Sequence, residues 1–339
     1  MLFLPHFIYI RKGTLFMDIL TYFKALPPAV AQGMIWGIMA IGVYITYKIL
    51  DIADLTVDGS ICTGAAVCAV LMSKGCNVWI ALLGAFIAGM LAGLVTGLFH
   101  TFMGIPPILS GILTQLILWS VNLKLMGLGF EPARASASNL ALPARKYDLL
   151  VSQLDINHTI IVLELFCIVL IAGLYCFFGT EYGCSLRATG ANLAMSRAQG
   201  INTDNRKIFG LVLSNGLVAL SGGLLAQYQG NADANMGKGA IVIGLAAICI
   251  GDALFSWLCR NNFALKLIAV VLGAIVYYIV YATVIYLGLD SNYLKMLSAL
   301  LVAFFLAVPY WKKKYFSGRK RFHLRHQKIK EKKETKGGK

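Results

Sequence analysis

Apolar stretches recur along the whole chain, at about 29–47, 59–73, 78–100, 108–127, 158–178, 208–228, 240–258, 264–288 and 293–310. A helix rises 1.5 Å per residue, so roughly 20 apolar residues match a hydrocarbon core about 30 Å thick. The stretches are continuous rather than alternating with period two, which predicts helices and not the strands of a membrane β-barrel. The expected fold is an all-α polytopic membrane protein of about nine transmembrane helices, eight to ten by the uncertainty of the ends. Before the first span, Met17–Leu26 reads as a short amphipathic stretch lying in the interface and ended by Pro27-Pro28. The organisation is thus an N-terminal segment 1–28, a membrane domain 29–310 and a tail 311–339.

Two of the breaks between spans are unusual. Leu50–Ser60 carries Asp51, Asp54 and Asp58 next to membrane-spanning sequence, where lipid-facing carboxylates are costly. It reads either as a solvated turn or as extended backbone re-entering the bundle, which is tolerated only where protein buries it or water fills a cavity. The second is Gln227–Gly239, which includes Asn231 and Asp233. Both breaks run polar, then glycine, then a small-residue helix: D-G-S-I-C-T-G-A-A from Asp58 and G-K-G-A-I-V-I-G-L-A-A from Gly237. Matched interruptions in two halves are the sequence sign of a transporter built from an inverted repeat, with its pathway at the breaks. Within spans, Gln115 and Asn122 lie seven residues apart on one helix face and are candidate pathway residues. Asn215 suits an interhelical hydrogen bond. Glu164 and Asp252 sit near span ends. Gly84, Gly89, Gly93 and Gly97 make a small face for close helix packing.

Composition agrees with lipid as the solvent. The chain has 339 residues, 58% hydrophobic and 13% charged, against about 25% charged for soluble domains. Its net charge of +15 suggests nucleic acid until it is located. Residues 312–339 hold 13 Lys/Arg and 2 acids, or +11, leaving +4 for the other 311. A polybasic tail past the last span implies membrane lipids as its partner and a cytoplasmic C-terminus, not nucleic acid. Counting back places 179–207 inside and both 129–157 and 231–239 outside. The eight cysteines form no C-x-x-C pair and mostly lie in spans, so neither metal site nor disulfide framework is expected. No cleavable signal peptide is evident at the N-terminus.

The inner loop from Thr180 to Lys207 has a local logic. Gly190 breaks the chain, Ala191–Gln199 favour a short helix, and Gly200 suits a left-handed C-terminus. Such a helix offers a handle for a motor domain.

Here the chain resembles the permease subunits of ABC importers of the branched-chain amino acid and ribose type, and within them the amino-acid permeases labelled tryptophan/tyrosine transport components. The resemblance rests on W-G-I-M-A-I-G-V-Y-I-T from Trp36, L-T-V-D-G-S at Leu55–Ser60 and I-P-P-I-L-S at Ile105–Ser110. It continues through L-R-A-T-G-A-N-L-A-M-S-R-A-Q-G-I at Leu186–Ile201, S-N-G-L-V-A-L-S-G-G-L at Ser214–Leu224 and M-G-K-G-A-I-V-I-G-L-A at Met236–Ala246. It implies a coupling helix docking on a separate ATP-binding subunit, a permease homodimer with the pathway between its copies, and an extracytoplasmic solute-binding lipoprotein. On that resemblance Arg187, Gly190, Asn192, Arg197 and Gly200 shape or contact the motor interface. Thr56, Asp58 and Ser60 then lie on or near the pathway, with Gln115, Asn122, Gln227 and Asn231 as further candidates. Ribose-type members carry an additional N-terminal span that this chain lacks, and its basic tail runs past their usual end.

The expected function is the permease subunit of an ABC importer in the cell membrane, carrying an amino acid or similar small solute. The chain has no G-x-x-x-x-G-K-[ST] loop, so ATP and magnesium belong to the partner ATPase and no cofactor is expected on this chain. The alternative is a stand-alone ion-coupled secondary transporter, which needs carboxylates deep in spans. An enzyme is not expected, because the five histidines sit at span ends or in the terminal segments.

Overall fold

The computed structural model describes residues 15–286, apart from 131, 144, 145 and 256–261, together with six single positions between 296 and 307. The ninth expected span is therefore largely, and the basic tail wholly, outside the described residues. Ten helices follow in chain order: α1 Leu15–Tyr44, α2 Val57–Ser73, α3 Val78–Thr101, α4 Pro107–Gly127, α5 Ile156–Gly179, α6 Glu181–Ala191, α7 Leu193–Ala198, α8 Thr203–Gln229, α9 Ala240–Phe255 and α10 Phe263–Tyr286. Six are long and apolar enough to cross a membrane, counting α1 with its continuation to Ile49; α2 and α9 are apolar but shorter. The protein is an all-α polytopic membrane protein, with six such helices among the described residues.

The expected stop at Pro27-Pro28 does not occur. α1 passes through both prolines and ends in a π-helical turn, Ile45–Ile49. The prolines withhold the amides that would reach the Phe23 and Lys24 carbonyls. Phe23 and Lys24 are exposed.

α1 and α8 are buried along most of their length, whereas α5 is mostly exposed. α8 is the hub, packing on α3, α2 and α1, while α9 and α10 pack together and against α1. Glycine sets these approaches. A Cβ at Gly64 would strike the Ala219 carbonyl, and one at Gly222 the Ile61 carbonyl, so α2 and α8 touch backbone to backbone. Gly89 and Gly93 of α3 lie equally close to the Asn215 and Leu211 carbonyls of α8, and Gly97 meets Ile208; Gly84 faces Leu71 of α2 instead. With no hydrophobic driving force inside lipid, such contacts supply the packing energy.

α2 has 17 residues, or roughly 25 Å, at the lower limit for a crossing, and α9 is described from Ala240 to Phe255. Each is preceded by irregular backbone. Between the π turn and α2 the backbone is irregular, with Asp51 left-handed at φ +56° and Thr56 already helical; Ile52, Asp54 and Thr56 are buried while Asp51 and Ala53 are exposed. The solvated-turn reading therefore fails for Asp54; the segment enters the bundle. Ahead of α9, Asn231–Asp233 (β2) pairs antiparallel with Asn139–Ala141 (β1), with Leu140 opposite Ala232. The 129–157 and 231–239 connections thus meet at one end of the bundle.

Candidate translocation site

The site grows from the polar side chains that the irregular segment 51–56 carries inward. Asp54 is 2% exposed. Its carboxylate accepts the Thr56 amide at 2.9 Å and the Asn215 side-chain amide at 2.7 Å. Asn215 donates also to the Leu211 carbonyl at 3.0 Å and accepts from the Ser60 hydroxyl at 2.6 Å. The Thr56 and Thr96 hydroxyls share a hydrogen bond of 2.7 Å. α2, α3, α8 and the segment 51–56 are thereby stitched together, and every amide atom of Asn215 is satisfied. A buried network completed in this way specifies one arrangement, where a half-completed one would destabilise it.

One turn further, Asp58 reaches the other broken helix. Its carboxylate accepts the Gly239 amide at 2.9 Å and the Ile241 amide at 3.0 Å. These amides open α9, and the first turn of a helix has no internal acceptors for them. The charge also opposes the positive end of the helix dipole. A residue of the first break therefore caps the helix of the second. Cys62 adds to the joint, donating to the Ala234 carbonyl and accepting from the Gly237 amide. At its far end α9 is held by an ion pair of 2.9 Å between Asp252 and Lys48 of the π turn.

Beside this joint lies a cavity of about 250 Å³, lined by Asp58, Gln115, Trp119, Asn122 and Lys238 among others. Of the seven pathway candidates, Asp58, Gln115 and Asn122 share it. Thr56 and Ser60 stand behind it in the buried network. Gln227 is buried elsewhere, accepting the Leu150 amide and donating to the Cys68 sulfur. Asn231 belongs to the two-stranded ribbon. Trp119 and Lys238 were not singled out from the sequence, although Trp119 lies between Gln115 and Asn122 at helical spacing and Lys238 immediately precedes Gly239. Asp54, by contrast, needed the fold to reveal it.

The loop between α5 and α8 departs from expectation in one respect. α6 runs through Gly190, and the break falls at Asn192, with φ −159° and ψ 105°. Gly190 is needed for contact instead: a Cβ there would strike the Ile49 carbonyl at the end of the π turn. Asn192 caps α7, its side chain accepting the Met195 amide at 3.0 Å. Gly200, at φ +79°, ends α7 in the left-handed conformation, with Gly200 N–H on Arg197 O and Ile201 N–H on Ser196 O. Arg197 turns back to α8, donating to Thr203 and pairing with Asp204 at 3.4 Å. Arg187 donates to the Phe178 carbonyl at 3.0 Å. The loop thus presents a short, doubly capped helix on which only Ser196 is buried and Leu193 and Met195 project outward.

Broken helices meeting beside a cavity, in a bundle with six helices long and apolar enough to cross a membrane, fit a membrane transport protein. The match to known proteins is specific: residues 28–308 fit the family described as branched-chain amino acid transport system / permease component, and the chain belongs to that family. It is similar to the tyrosine transport system permease protein of Clostridioides difficile, 39% identical over 81% of this chain and 88% of that protein. It is similar also to an uncharacterized protein of Rickettsia prowazekii, 34% identical over 81% of this chain and 94% of that one. The autoinducer 2 import system permease protein LsrC of Yersinia pseudotuberculosis is 26% identical over 71% of this chain and 69% of its own. No solved structure matches the chain. The protein is accordingly the permease component of an ABC importer. Such a component works with an ATP-binding subunit and a substrate-binding protein.

Proposed function

We propose that this permease carries an amino acid, with an aromatic one such as tyrosine as the first substrate to test. The observation that supports this most directly is the cavity at the α2–α9 joint. It holds both signs of charge, Asp58 and Lys238, beside amide side chains and the indole of Trp119. A zwitterion with an apolar side chain suits such a surface. The 39% identical relative named for tyrosine transport points the same way.

On this reading two copies pair, and Trp119, 48% exposed, faces the pathway between them. The α6–α7 loop lies on the cytoplasmic face, a placement its basic residues and the basic C-terminal tail support. The β1–β2 ribbon then faces the binding protein. The motor subunit seats on α7, and its movement reaches the membrane through Gly190 against Ile49 and through Lys48 on Asp252. The matched breaks ahead of α2 and α9 support two halves built on one plan.

The test is reconstitution of the permease with its ATP-binding subunit in proteoliposomes, with the binding protein outside. ATP-dependent uptake of L-tyrosine or another amino acid is expected, and Leu193→Asp with Met195→Asp should abolish it while leaving the membrane domain folded. Uptake by the permease alone, driven by a proton or sodium gradient, would overturn the reading.

A further inference from the structure

One atom beside the cavity has an unmet need. Asn122 is 1% exposed, and its Oδ1 has no hydrogen-bond partner. A buried amide oxygen left in this state costs about 1–3 kcal/mol in general. The assignment of its two ends follows from the neighbour: Nδ2 faces the Gly59 carbonyl at 3.5 Å, which can only accept. Turning the amide over would set oxygen against oxygen. The acceptor therefore belongs on the free side. The other buried polar residues around the joint contrast with it, since Asp54, Ser60 and Asn215 all have partners.

The geometry points to a substrate subsite in which Asn122 Oδ1 accepts a hydrogen bond from the α-ammonium group of an amino acid and Lys238 pairs with its carboxylate. Asp58 already accepts two backbone amides. It contributes its negative charge to the ammonium end of the cavity without giving up the α9 cap. Trp119, three residues before Asn122 on α4, offers an apolar flank for the side chain. This inference rests on the amino-acid reading above and adds the residues that recognise the two charged groups.

The experiment is equilibrium binding of L-tyrosine to the permease–ATPase complex in nanodiscs without the binding protein, alongside ATP-driven uptake with it. The wild-type complex should bind L-tyrosine. Asn122→Leu should weaken binding about tenfold, the order of one charge-assisted hydrogen bond. Asn122→Asp, which keeps an acceptor and loses the same contact to Gly59, should stay within about threefold on the same scale. Lys238→Gln, at an exposed position, should weaken L-tyrosine but not tyramine, which lacks the carboxylate. The desamino analogue 3-(4-hydroxyphenyl)propionate should compete poorly with wild type. Absence of L-tyrosine binding by wild type would overturn the subsite, as would equal competition by the desamino analogue or equal losses in Asn122→Leu and Asn122→Asp. A wild-type complex that takes up L-tyrosine but binds it regardless of Asn122 sinks the subsite alone. Failure to transport any amino acid sinks the reading beneath it.

Discussion

Asp58, in the first turn of α2, accepts the backbone amide of Gly239 at 2.9 Å across 181 residues of sequence. With the Ile241 amide it makes a helix cap supplied from another part of the chain. Both broken helices therefore depend on one carboxylate, and neither can shift far without disturbing the other. Asp58→Ala leaves two partly buried amides without that acceptor and should lower stability by about 1–3 kcal/mol. Asp58→Asn keeps one oxygen and should fall between Ala and wild type. The thermal midpoint of the detergent-solubilised protein orders the three. Equal midpoints would show that the cap contributes nothing.

Lys48 and Asp252 join the π turn after α1 to α9 with side chains about half exposed, 42% and 45%. A pair this hydrated contributes little to stability, about 0.2–1 kcal/mol. Its position matters more, because Lys48 neighbours Ile49, on whose carbonyl Gly190 rests. Lys48→Asp and Asp252→Lys should each lower the amount of substrate moved per ATP hydrolysed, with small changes in melting temperature. The double exchange should restore the ratio. If the double variant is as poor as the singles, the pair carries no coupling.

Much of this arrangement is legible in the sequence, and the rest fails for identifiable reasons. Eight of the nine apolar stretches correspond to helices, because lipid leaves the backbone few options. The two breaks were visible as polar runs before glycine. Their meeting was not, since nothing local ties Asp58 to Gly239. Gly190 illustrates a different limit: as a helix breaker it predicts an end, yet tertiary contact with Ile49 overrides propensity and moves the end to Asn192. Pro27 and Pro28 predict an end as well, yet α1 runs through both. Asp54 reads no differently from Asp51 in the sequence, and only the fold separates the buried acid from the exposed one.

Gly64 lies against the Ala219 carbonyl with no room for a methyl group, and the obstructing atom is backbone. Gly64→Val should therefore cost more than about 2 kcal/mol, in the range of overpacked cores, since neither helix can yield by a rotamer change. Gly173, on the exposed helix α5, has nothing within 4 Å of where its Cβ would stand. Gly173→Ala should be neutral or gain up to about 1 kcal/mol from helix propensity. Monodispersity and thermal midpoint after detergent extraction measure both. A Gly64→Val protein as stable as wild type would refute the close α2–α8 approach.

The handle on α7 has only six residues, too few to be stable as a helix by itself, so its ends must hold it. Asn192 supplies the cap at one end and Gly200 the left-handed residue at the other. Asn192→Ala should cost about 1 kcal/mol of local stability, and Asn192→Asp should cost little because it caps equally well. Gly200→Ala places a Cβ in the left-handed region at roughly 1–2 kcal/mol. These losses fall on an exposed loop, so the membrane domain should melt as wild type does. The local effect should appear instead as faster amide exchange at 193–198. In the assembled importer it should also appear as lower substrate-stimulated ATP hydrolysis, ranked Asn192→Asp above Asn192→Ala. Normal stimulation in Asn192→Ala and Gly200→Ala, despite faster exchange in the loop, would mean that a preformed α7 is not what the motor subunit grips.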